Sequence, residues 1–292
     1  MVSICCITYN HELFIIDALT SFLSQQANFI FEIIVSDDNS IDNTIHLTTQ
    51  FAQEKNVKII IYKNVPNIGV GANFLAAIKK ATGKYVAICE GDDFWNASYK
   101  LQKQFDFLEN HPEISVCGHL SHKLLNNKLK PLNFSKKGTI FSFNDFIIAP
   151  FFHTSSFFFN REIFLNQVPL WYDKLYAVDN FTILILSIQN KIGLINEYMS
   201  VYRINQYSIS NKQSILTIAN NYITHLQFFD AHSDFKFTHL IKKVSRIWNV
   251  RVGYLLPSKE RKAILKKEIA FIFINFSLIE SIKLLIKYFN YS

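Results

Sequence analysis

Three carboxylates stand close together in the chain, directly after an apolar segment. Glu90, Asp92 and Asp93 follow residues 84–89, a run typical of a buried strand. Charges that leave an apolar run must be solvated, paired or bound to a cation, and a lone Asp-Asp pair is as often a solvated turn. Carboxylates at the first and third positions of a turn can both reach Mg²⁺ or Mn²⁺, which also bind diphosphates. The spacing favours a site for a metal ion and a diphosphate.

A second pair of acids ends another apolar run. Asp37 and Asp38 follow residues 31–36, and Ser40 with Asp42 is typical of the start of a helix. One acid can therefore cap that helix, but capping does not explain both. A carboxylate that faces a cleft can accept hydrogen bonds from a nucleobase N–H or from ribose hydroxyls. We expect a nucleotide-reading role here.

The elements that must position these residues alternate between strand and helix. Apolar strands are predicted at 3–8, 31–36, 58–62 and 84–89, and helices at 12–25, 42–55 and 71–82. The alternation specifies an α/β fold with a mainly parallel sheet flanked by helices. Functional groups collect at the carboxyl ends of such strands. We therefore expect Thr8, Tyr9 and Asn10 to meet both acidic segments at one edge.

The rest of the chain has a mixed stretch and then a helical stretch. Further helices are predicted at 98–110, 141–148 and 178–190, and further strands at 114–118, 153–159 and 191–197. From residue 215 onward only helical patterns appear, through 229, through 255 and over 259–289. We place a boundary near 205–211, which gives an α/β domain at 1–207 and a C-terminal helical region at 208–292.

Composition narrows the class of protein. With 292 residues that are 49% hydrophobic, the chain can bury a sizeable core, which excludes general disorder. A net charge of +7, with 28 Phe and 13 Tyr, points to anionic or amphipathic partners. The four cysteines have neither metal-ligand nor disulfide-framework spacing, so we expect small buried hydrophobes. The N-terminus lacks a basic signal region and 269–279 is too short to span a bilayer, so a cytoplasmic protein is expected.

Several motifs follow one another over roughly the first 110 residues. They are Ile4-Cys5-Cys6-Ile7-Thr8-Tyr9-Asn10, Ile33-Ile34-Val35-Ser36-Asp37-Asp38-Asn39-Ser40-Ile41-Asp42-Asn43-Thr44, Asn67-Ile68-Gly69, Gly83-Lys84-Tyr85 and Glu90-Gly91-Asp92-Asp93-Phe94-Trp95. In this order they resemble the family 2 glycosyltransferases of the GT-A fold, and the last motif resembles one subgroup of that family. The similarity continues more weakly to about Asn205. It implies a Rossmann-like α/β fold and an inverting, single-displacement sugar transfer.

The resemblance implies roles for the donor-side residues. The uridine of a UDP-sugar is expected on Thr8, Tyr9 and Asp38, with Asp37 close by. The full implied nucleotide set is Thr8, Tyr9, Asn10, Asp37, Asp38, Asn67, Asp92 and Arg203. The metal, Mn²⁺ or Mg²⁺, is expected on Asp93, Asp92 and Glu90. The two aspartates are the safer ligands, because most family members have Asp where this chain has Glu90.

A catalytic base is implied by the same resemblance. In the family, an acid at the start of a later helix takes the proton of the acceptor hydroxyl. Asp179 stands in that place and Asp173 is the second choice, while helix capping is the structural alternative for Asp179. His153, Thr154 and Trp95 resemble the acceptor side of the pocket, although a lone His near a strand is more often structural.

One further basic residue is implied near the diphosphate. Arg203 follows the last predicted strand, and its guanidinium offers two parallel donors that suit a phosphate. Many relatives have a His two residues later, where this chain has Asn205. A histidine contact from that position is therefore not expected here.

The implied reaction moves a hexose or N-acetylhexosamine from a UDP-sugar to a hydroxyl of a glycan or lipid-linked acceptor in bacterial surface-polysaccharide assembly, such as capsule or lipopolysaccharide. The basic C-terminal helices suit a peripheral contact with anionic lipid at the inner face of the plasma membrane. Packing on the first domain or in a homodimer explains them equally well.

Two other function classes are weaker. A nucleotidyltransferase acting on a sugar phosphate would also use acids and Mg²⁺, but it would want a Gly- or Lys-rich loop after the first strand, where residues 8–12 have none. A basic nucleic-acid-binding module explains the net charge, yet the positive residues are mostly C-terminal and the proposed cleft is acidic, which would repel phosphate without a metal. No nucleic-acid partner is expected.

Overall fold

The computed structural model describes residues 1–132, 138–175, 178–205 and 214–275, together with Ser281. The chain divides into two compact units, Met1–Asn205 and Gln206–Ser292. The boundary that the sequence predicts between residues 207 and 208 falls within 206–213, outside the described residues.

The first unit is built on one sheet. Its strands are β1 (Val2–Thr8), β2 (Phe31–Asp37), β3 (Ile59–Lys63), β4 (Tyr85–Ile88), β5 (Phe94–Trp95), β6 (Ile114–Leu125), β7 (Lys128–Leu132), β8 (Ile140–Phe141), β9 (Phe158–Asn160) and β10 (Lys191–Arg203). The spatial order is β3-β2-β1-β4-β9-β6-β10-β5, with β7 paired to β6 and β8 to β10. Strands β1 to β4 run parallel, whereas β9 runs antiparallel between β4 and β6. The predicted α/β class is confirmed.

Seven helices accompany the described strands of this unit. They are α1 (Ile15–Leu23), α2 (Thr44–Glu54), α3 (Val70–Lys80), α4 (Lys100–Glu109), α5 (Phe143–Ile148), α6 (Arg161–Gln167) and α7 (Val178–Ser187), with 3₁₀ turns at Thr154–Ser156 and Tyr172–Lys174.

The central strand β1 is buried along its whole length, because a parallel sheet is covered on both faces. Ile4 and Cys6 pack with Leu19 and Phe22 of α1 in one core. Cys5 faces the other way, with its Sγ 3.7 Å from the carbonyl oxygen of Ala77 on α3. All four cysteines are buried and unpaired, as predicted from their spacing. The continuously apolar run is thus explained by helices on both sides of the sheet.

The later part of the first unit differs most from the sequence prediction. Strand β10 continues to Arg203, whereas the sequence predicted an end at 197. Its register with β6 shifts between residues 195 and 200, and the pairing continues beyond these irregularities. The strand predicted at 153–159 is a 3₁₀ turn followed by the short β9. Strands β5, β7 and β8 and helix α6 were missed, since such short elements leave no periodic pattern.

The second unit contains helices α8 (Ile215–Ala231), α9 (Thr238–Val252) and α10 (Ser258–Asn275) in its described part. Asp230 at the end of α8 accepts hydrogen bonds from the first residues of α9. Tyr222 and Trp248 pack with ring centroids 5.6 Å apart, and Arg246 forms an ion pair with Glu268. The predicted continuation to 289 lies outside the described residues, apart from Ser281. Among the described helices, none combines the length and apolar character needed to cross a membrane.

A close packing contact in β6 yields a stability test. A Cβ atom on Gly118 would lie 2.5 Å from the Phe152 ring. We expect Gly118→Ala to lower the free energy of unfolding by about 1–3 kcal/mol through overpacking, as measured by urea denaturation. Adding Phe152→Leu should recover part of that loss, with a coupling of more than about 0.5 kcal/mol. Strictly additive losses would contradict this contact.

Candidate active site

The three acids of the motif occupy one loop, residues 90–93, which we call the acidic loop. It begins where β4 ends, and the N–H of Gly91 donates to the carbonyl oxygen of Ile7 on β1 over 2.9 Å. A Cβ atom on Gly91 would lie 2.8 Å from Thr8 Oγ1 and 2.9 Å from His11 Nδ1. Glycine is therefore needed here, because the loop crosses directly over the end of β1.

Asp93 is the most buried acid of the loop, with 1% of its surface exposed. Its Oδ1 accepts a hydrogen bond of 2.9 Å from the backbone N–H of Arg203 on β10. Its Oδ2 has no hydrogen-bond partner among the described residues and lies 3.5 Å from His153 Nδ1. Burial, followed by the charges of Asp92 and Glu90, raises the pKa of Asp93 well above its usual range. This oxygen is poised to bind a proton or a cation.

Glu90 lies beside Asp93 and is partly buried. Burial, reinforced by the negative charges of Asp92 and Asp179, raises its pKa to about 8. The effect of Asp179 means that α7 brings a fourth acid close to the acidic loop. Residues 90 and 179 are therefore within electrostatic range of each other.

Asp92 faces a different set of partners. Its Oδ2 accepts a hydrogen bond of 3.1 Å from Asn205 Nδ2, and its Oδ1 lies 3.9 Å from His11 Nε2. Its carbonyl oxygen accepts from Arg203 Nε over 3.0 Å. Of the three predicted metal ligands, Glu90 and Asp93 are thus close to each other, whereas Asp92 is hydrogen-bonded to Asn205.

Arg203 braces the acidic loop from β10. Its backbone N–H donates to Asp93, and its Nε donates to the carbonyl oxygen of Asp92. Its Nη2 also donates to Asp17 Oδ2 over 2.8 Å. The guanidinium carbon lies 4.9 Å from the Phe14 ring centroid and 5.2 Å from that of Phe94. Its side chain therefore holds the loop in place, and the diphosphate contact that the sequence suggests stays a prediction.

His153 lies next to Asp93, near its Oδ2 atom. Its ring packs on Tyr202 with a centroid distance of 4.1 Å, and its Nδ1 lies 3.0 Å from Ser155 Oγ. Burial lowers the pKa of His153 to about 4, so the ring is neutral at pH 7. The contact with Asp93 is therefore not an ion pair at that pH.

The other two acceptor-side residues are buried. Thr154 is in the 3₁₀ turn, and Trp95 donates from Nε1 to the carbonyl oxygen of Ser155 over 2.9 Å. The Trp95 ring packs 4.8 Å from that of Phe22, and Lys100 Nζ lies 3.7 Å from its centroid. Trp95 thus supports the 3₁₀ turn that carries His153, and its acceptor contact stays a prediction.

The acid pair at the end of β2 is engaged in hydrogen bonds with neighbouring loops. Both carboxylate oxygens of Asp37 accept hydrogen bonds from Ser40. Asp38 accepts from the N–H groups of Ile68 and Gly69 and from Asn64 Nδ2, at 2.9 to 3.1 Å. Neither acid caps the helix that begins at Thr44. Asp37 holds the turn after β2, and Asp38 holds the loop before α3.

The remaining donor-side residues lie at the ends of β1 and β3. Thr8 is buried, and its Oγ1 has no partner within the described part of the chain, while Tyr9 is 43% exposed. Asn10 has φ +56° and binds Ser40 and Ile41. Asn67 Nδ2 donates to the carbonyl oxygen of Asp38 over 2.7 Å. Together these contacts join the first two strand ends.

The two candidate bases differ in exposure. Asp179 lies in the first turn of α7 and is partly buried, and burial raises its pKa although the N–H groups of Asn180 and Asp179 oppose that effect. Asp173 is exposed in the 3₁₀ turn before it. A carboxylate with a raised pKa is the better proton acceptor, which favours Asp179.

Sequence reasoning missed several residues that shape the site. His11, Asp17 and Asn64 have no role in the prediction, yet each contacts a predicted site acid or its brace. His11 comes three residues after the end of β1, and this position could have indicated that it lies near the site. Asp17 and Asn64 gave none, because their contacts depend on tertiary packing.

One group of ligand-type side chains is brought together among the described residues. Glu90, Asp93 and His153 can each supply one ligand atom, and these atoms all lie within 4.8 Å of one another. Two carboxylates and an imidazole form a donor set that suits a divalent cation.

A family comparison covers more than half of the chain. Residues 3–166, more than half of the chain, match the family described as Glycosyl transferase family 2. The chain therefore belongs to glycosyl transferase family 2, as expected from its motifs. The subgroup and the inverting mechanism stay predictions.

Similar sequences extend over part of the chain. An uncharacterised protein of Mycobacterium tuberculosis is 31% identical over 212 residues, which are 71% of this chain and 60% of that protein. EpsE of Bacillus subtilis, named as a glycosyltransferase, is 34% identical over 110 residues, 38% of this chain and 39% of EpsE. The chain thus spans 60% of the length of the mycobacterial relative it matches.

Solved structures share the fold at low identity. S. aureus TarS in complex with UDP-GlcNAc has a TM-score of 0.59 at 17% identity, covering 91% of this chain and 84% of that one. The mannosyltransferase PcManGT of Pyrobaculum calidifontis, in complex with GDP-Man and Mn²⁺, has a TM-score of 0.63 at 18% identity, covering 97% and 78%. The likeness confirms the predicted GT-A fold.

The raised pKa of Glu90 predicts how stability depends on pH. Its pKa is about 8 in the folded chain against an ordinary 4.5, so the metal-free folded state binds more protons between those values. Stability must therefore fall as pH rises from 4.5 to 8. We expect Glu90→Gln to weaken this fall and to raise Tm at pH 8 by at least about 3 °C, measured by calorimetry in EDTA. Parallel pH profiles for both proteins would contradict it.

Proposed function

We propose that this chain is an inverting, metal-dependent glycosyltransferase that moves a sugar from a UDP-sugar to a hydroxyl of a glycan or lipid-linked acceptor. The observation that carries the proposal is the buried Asp93 oxygen, unpaired within the described residues and adjacent to Glu90 and His153. Such an oxygen is stable only when it is protonated or bound to a cation. The fourth acid, Asp179, is a candidate base beside the same loop.

The donor set fits Mn²⁺ or Mg²⁺. Asp93 and Glu90 offer carboxylate oxygens that both cations accept, and Asp92 is the third acid of the loop. PcManGT, which shares the fold, is described in complex with Mn²⁺, which supports this choice. When bound, the cation supplies positive charge that stabilises the leaving nucleoside diphosphate.

We propose that the nucleotide binds where β1 and β2 end. The exposed ring of Tyr9 offers a flat surface for a base, and Thr8 Oγ1 is a buried polar atom at the same strand end. Asp38 and Asp37 act in this proposal through the backbone that they hold. The donor is a UDP-sugar, and the complex of TarS with UDP-GlcNAc supports that class.

The proton of the acceptor hydroxyl goes to Asp179 in this proposal. Its raised pKa makes it a stronger base than an exposed carboxylate, and no covalent enzyme intermediate is required. Arg203 keeps the acidic loop in position during transfer. In an inverting single displacement the acceptor oxygen attacks opposite the leaving diphosphate, so in this proposal Asp179 acts on the acceptor oxygen and the cluster around Asp93 acts on the diphosphate.

The biological setting is also proposed. The acceptor class and a role in bacterial surface-polysaccharide assembly follow from the family resemblance. The basic residues on the last helices suit a peripheral contact of a cytoplasmic protein with anionic membrane, or a homodimer interface. These residues are Lys242, Lys243, Arg246, Arg251, Lys259, Arg261, Lys262, Lys266 and Lys267.

The loop after β1 argues against nucleotidyl transfer. The backbone N–H groups of Asn10, His11 and Glu12 donate to Ser40, Thr44 and Asp42, respectively. A triphosphate cradle needs free N–H groups at this position. The loop is therefore better suited to joining β1 with the start of α2.

Donor binding can be tested by calorimetric titration of UDP. We expect UDP to bind in Mn²⁺ or Mg²⁺ and to bind at least about 10-fold more weakly after EDTA or in Asp93→Ala, because a ligand of the cation is lost. Asp106→Ala, which removes an exposed acid on α4, is the matched control and should bind UDP normally. Failure of the wild type to bind UDP in either metal would reject the proposed donor.

The base can be tested separately from binding. Asp179→Asn should lower turnover by about 10²-fold or more while UDP binding stays within about 2-fold, because the base acts on the acceptor. Asp173→Asn changes the exposed neighbouring acid and should leave turnover nearly unchanged. Single-turnover assays with radiolabelled UDP-sugars measure the rate. Equal losses in the two variants would reject Asp179 as the base.

A further inference from the structure

We propose that His153 is a ligand of the divalent cation, so that the site has mixed oxygen and nitrogen donors and prefers Mn²⁺ to Mg²⁺. This inference deepens the proposed function and rests on it. It assigns to His153 a contact with the metal, where the sequence suggested a contact on the acceptor side.

The distances fit ligands of one ion. His153 Nδ1 lies 3.5 Å from Asp93 Oδ2, and Glu90 completes a group whose ligand atoms are within 4.8 Å of one another. Two adjacent ligand atoms that are each about 2.1 Å from an ion stand about 3.0–3.4 Å apart. Only a small adjustment is therefore needed for Nδ1 and Oδ2 to share a cation.

The carboxylate oxygen facing His153 provides a second, independent observation. Asp93 is 1% exposed and its Oδ2 has no hydrogen-bond partner in the described ranges, while its Oδ1 is already held by the N–H of Arg203. A buried carboxylate oxygen normally has a partner. Asp92 is a weaker candidate for the same ion, because Asn205 binds its Oδ2.

The contacts of the His153 ring indicate which of its two nitrogens has the lone pair. The backbone N–H of Ser155 donates to Nδ1 over 3.4 Å, and an N–H group can only donate. This contact assigns the lone pair to Nδ1 and the proton to Nε2. Ser155 Oγ also lies 3.1 Å from Ser200 Oγ, so it keeps a partner when Nδ1 turns to a cation.

Strand β10 holds both donors. The Tyr202 ring packs against His153 at 4.1 Å, and the next residue, Arg203, binds Asp93 through its backbone. The imidazole and the carboxylate are thus fixed relative to each other by two consecutive residues of one strand. Such support is what a ligand pair needs for pre-organisation.

The nitrogen donor determines which cation is preferred. Mg²⁺ takes oxygen ligands almost exclusively, whereas imidazole suits transition metals. Mn²⁺ accepts both donors. We therefore expect a preference for Mn²⁺ that depends on residue 153.

The test uses Mn²⁺ bound to the full chain with UDP, observed by pulsed EPR. Direct imidazole coordination gives a ¹⁴N modulation, which should change to a ¹⁵N pattern when the histidines alone are ¹⁵N-labelled. We expect His153→Asn to abolish the modulation and to weaken Mn²⁺ binding by about 10-fold or more, while Mg²⁺ binding changes less. Asn retains an acceptor for the Ser155 N–H, which favours an intact turn, and an unchanged Tm verifies folding.

His11→Asn is the matched control, because His11 is the other imidazole near the acidic loop, 3.9 Å from Asp92. It should keep the nitrogen modulation. Mn²⁺ and UDP binding without any histidine modulation in the wild type would overturn this inference and leave the proposed function standing. Modulation that persists in His153→Asn, or is lost only in His11→Asn, would also overturn it. Absence of metal-dependent UDP binding would reject the proposed function itself.

Discussion

The first unit depends on one physical constraint: several carboxylates that repel one another are buried at one strand end. Glu90, Asp92 and Asp93 lie within the four positions 90–93 at the end of a buried strand, and the charge of Asp179 on α7 also acts on Glu90. Burial and mutual repulsion raise the pKa of Glu90 and of Asp93. Such a cluster is costly in the metal-free chain and becomes favourable once positive charge is supplied. The proposed cation would remove this cost.

The surrounding structure holds these acids with backbone and amide donors and with the Arg203 side chain. The N–H of Arg203 binds Asp93, Asn205 binds Asp92, and the guanidinium of Arg203 is paired with Asp17 outside the loop. His153 is neutral at pH 7 because burial lowers its pKa to about 4. The loop is thus held in place while Asp93 Oδ2 has no hydrogen-bond partner among the described residues. That oxygen keeps the capacity to bind a cation.

Much of the fold could be predicted from the sequence. The alternation of apolar runs and helical patterns predicted β1 to β4 and α1 to α3, and the parallel topology predicted that their polar ends would meet. After residue 110, the sequence predicted the helices and strands less well. The turn at 154–156 and the extension of β10 to Arg203 depend on pairing between distant segments, and no local period reports such pairing.

The site shows the same division between local and long-range information. By itself, the sequence determined that acids follow β2 and β4, and that glycine stands at 91, because these features depend on residue type and local spacing. Only the tertiary structure decided that Asp38 holds the loop at residues 68–69, that Asp92 faces Asn205, and that His153 faces Asp93. The physical reason is that a hydrogen bond or a ligand pair is set by distance in space, and segments about thirty or more residues apart are brought to that distance only by packing of the whole sheet.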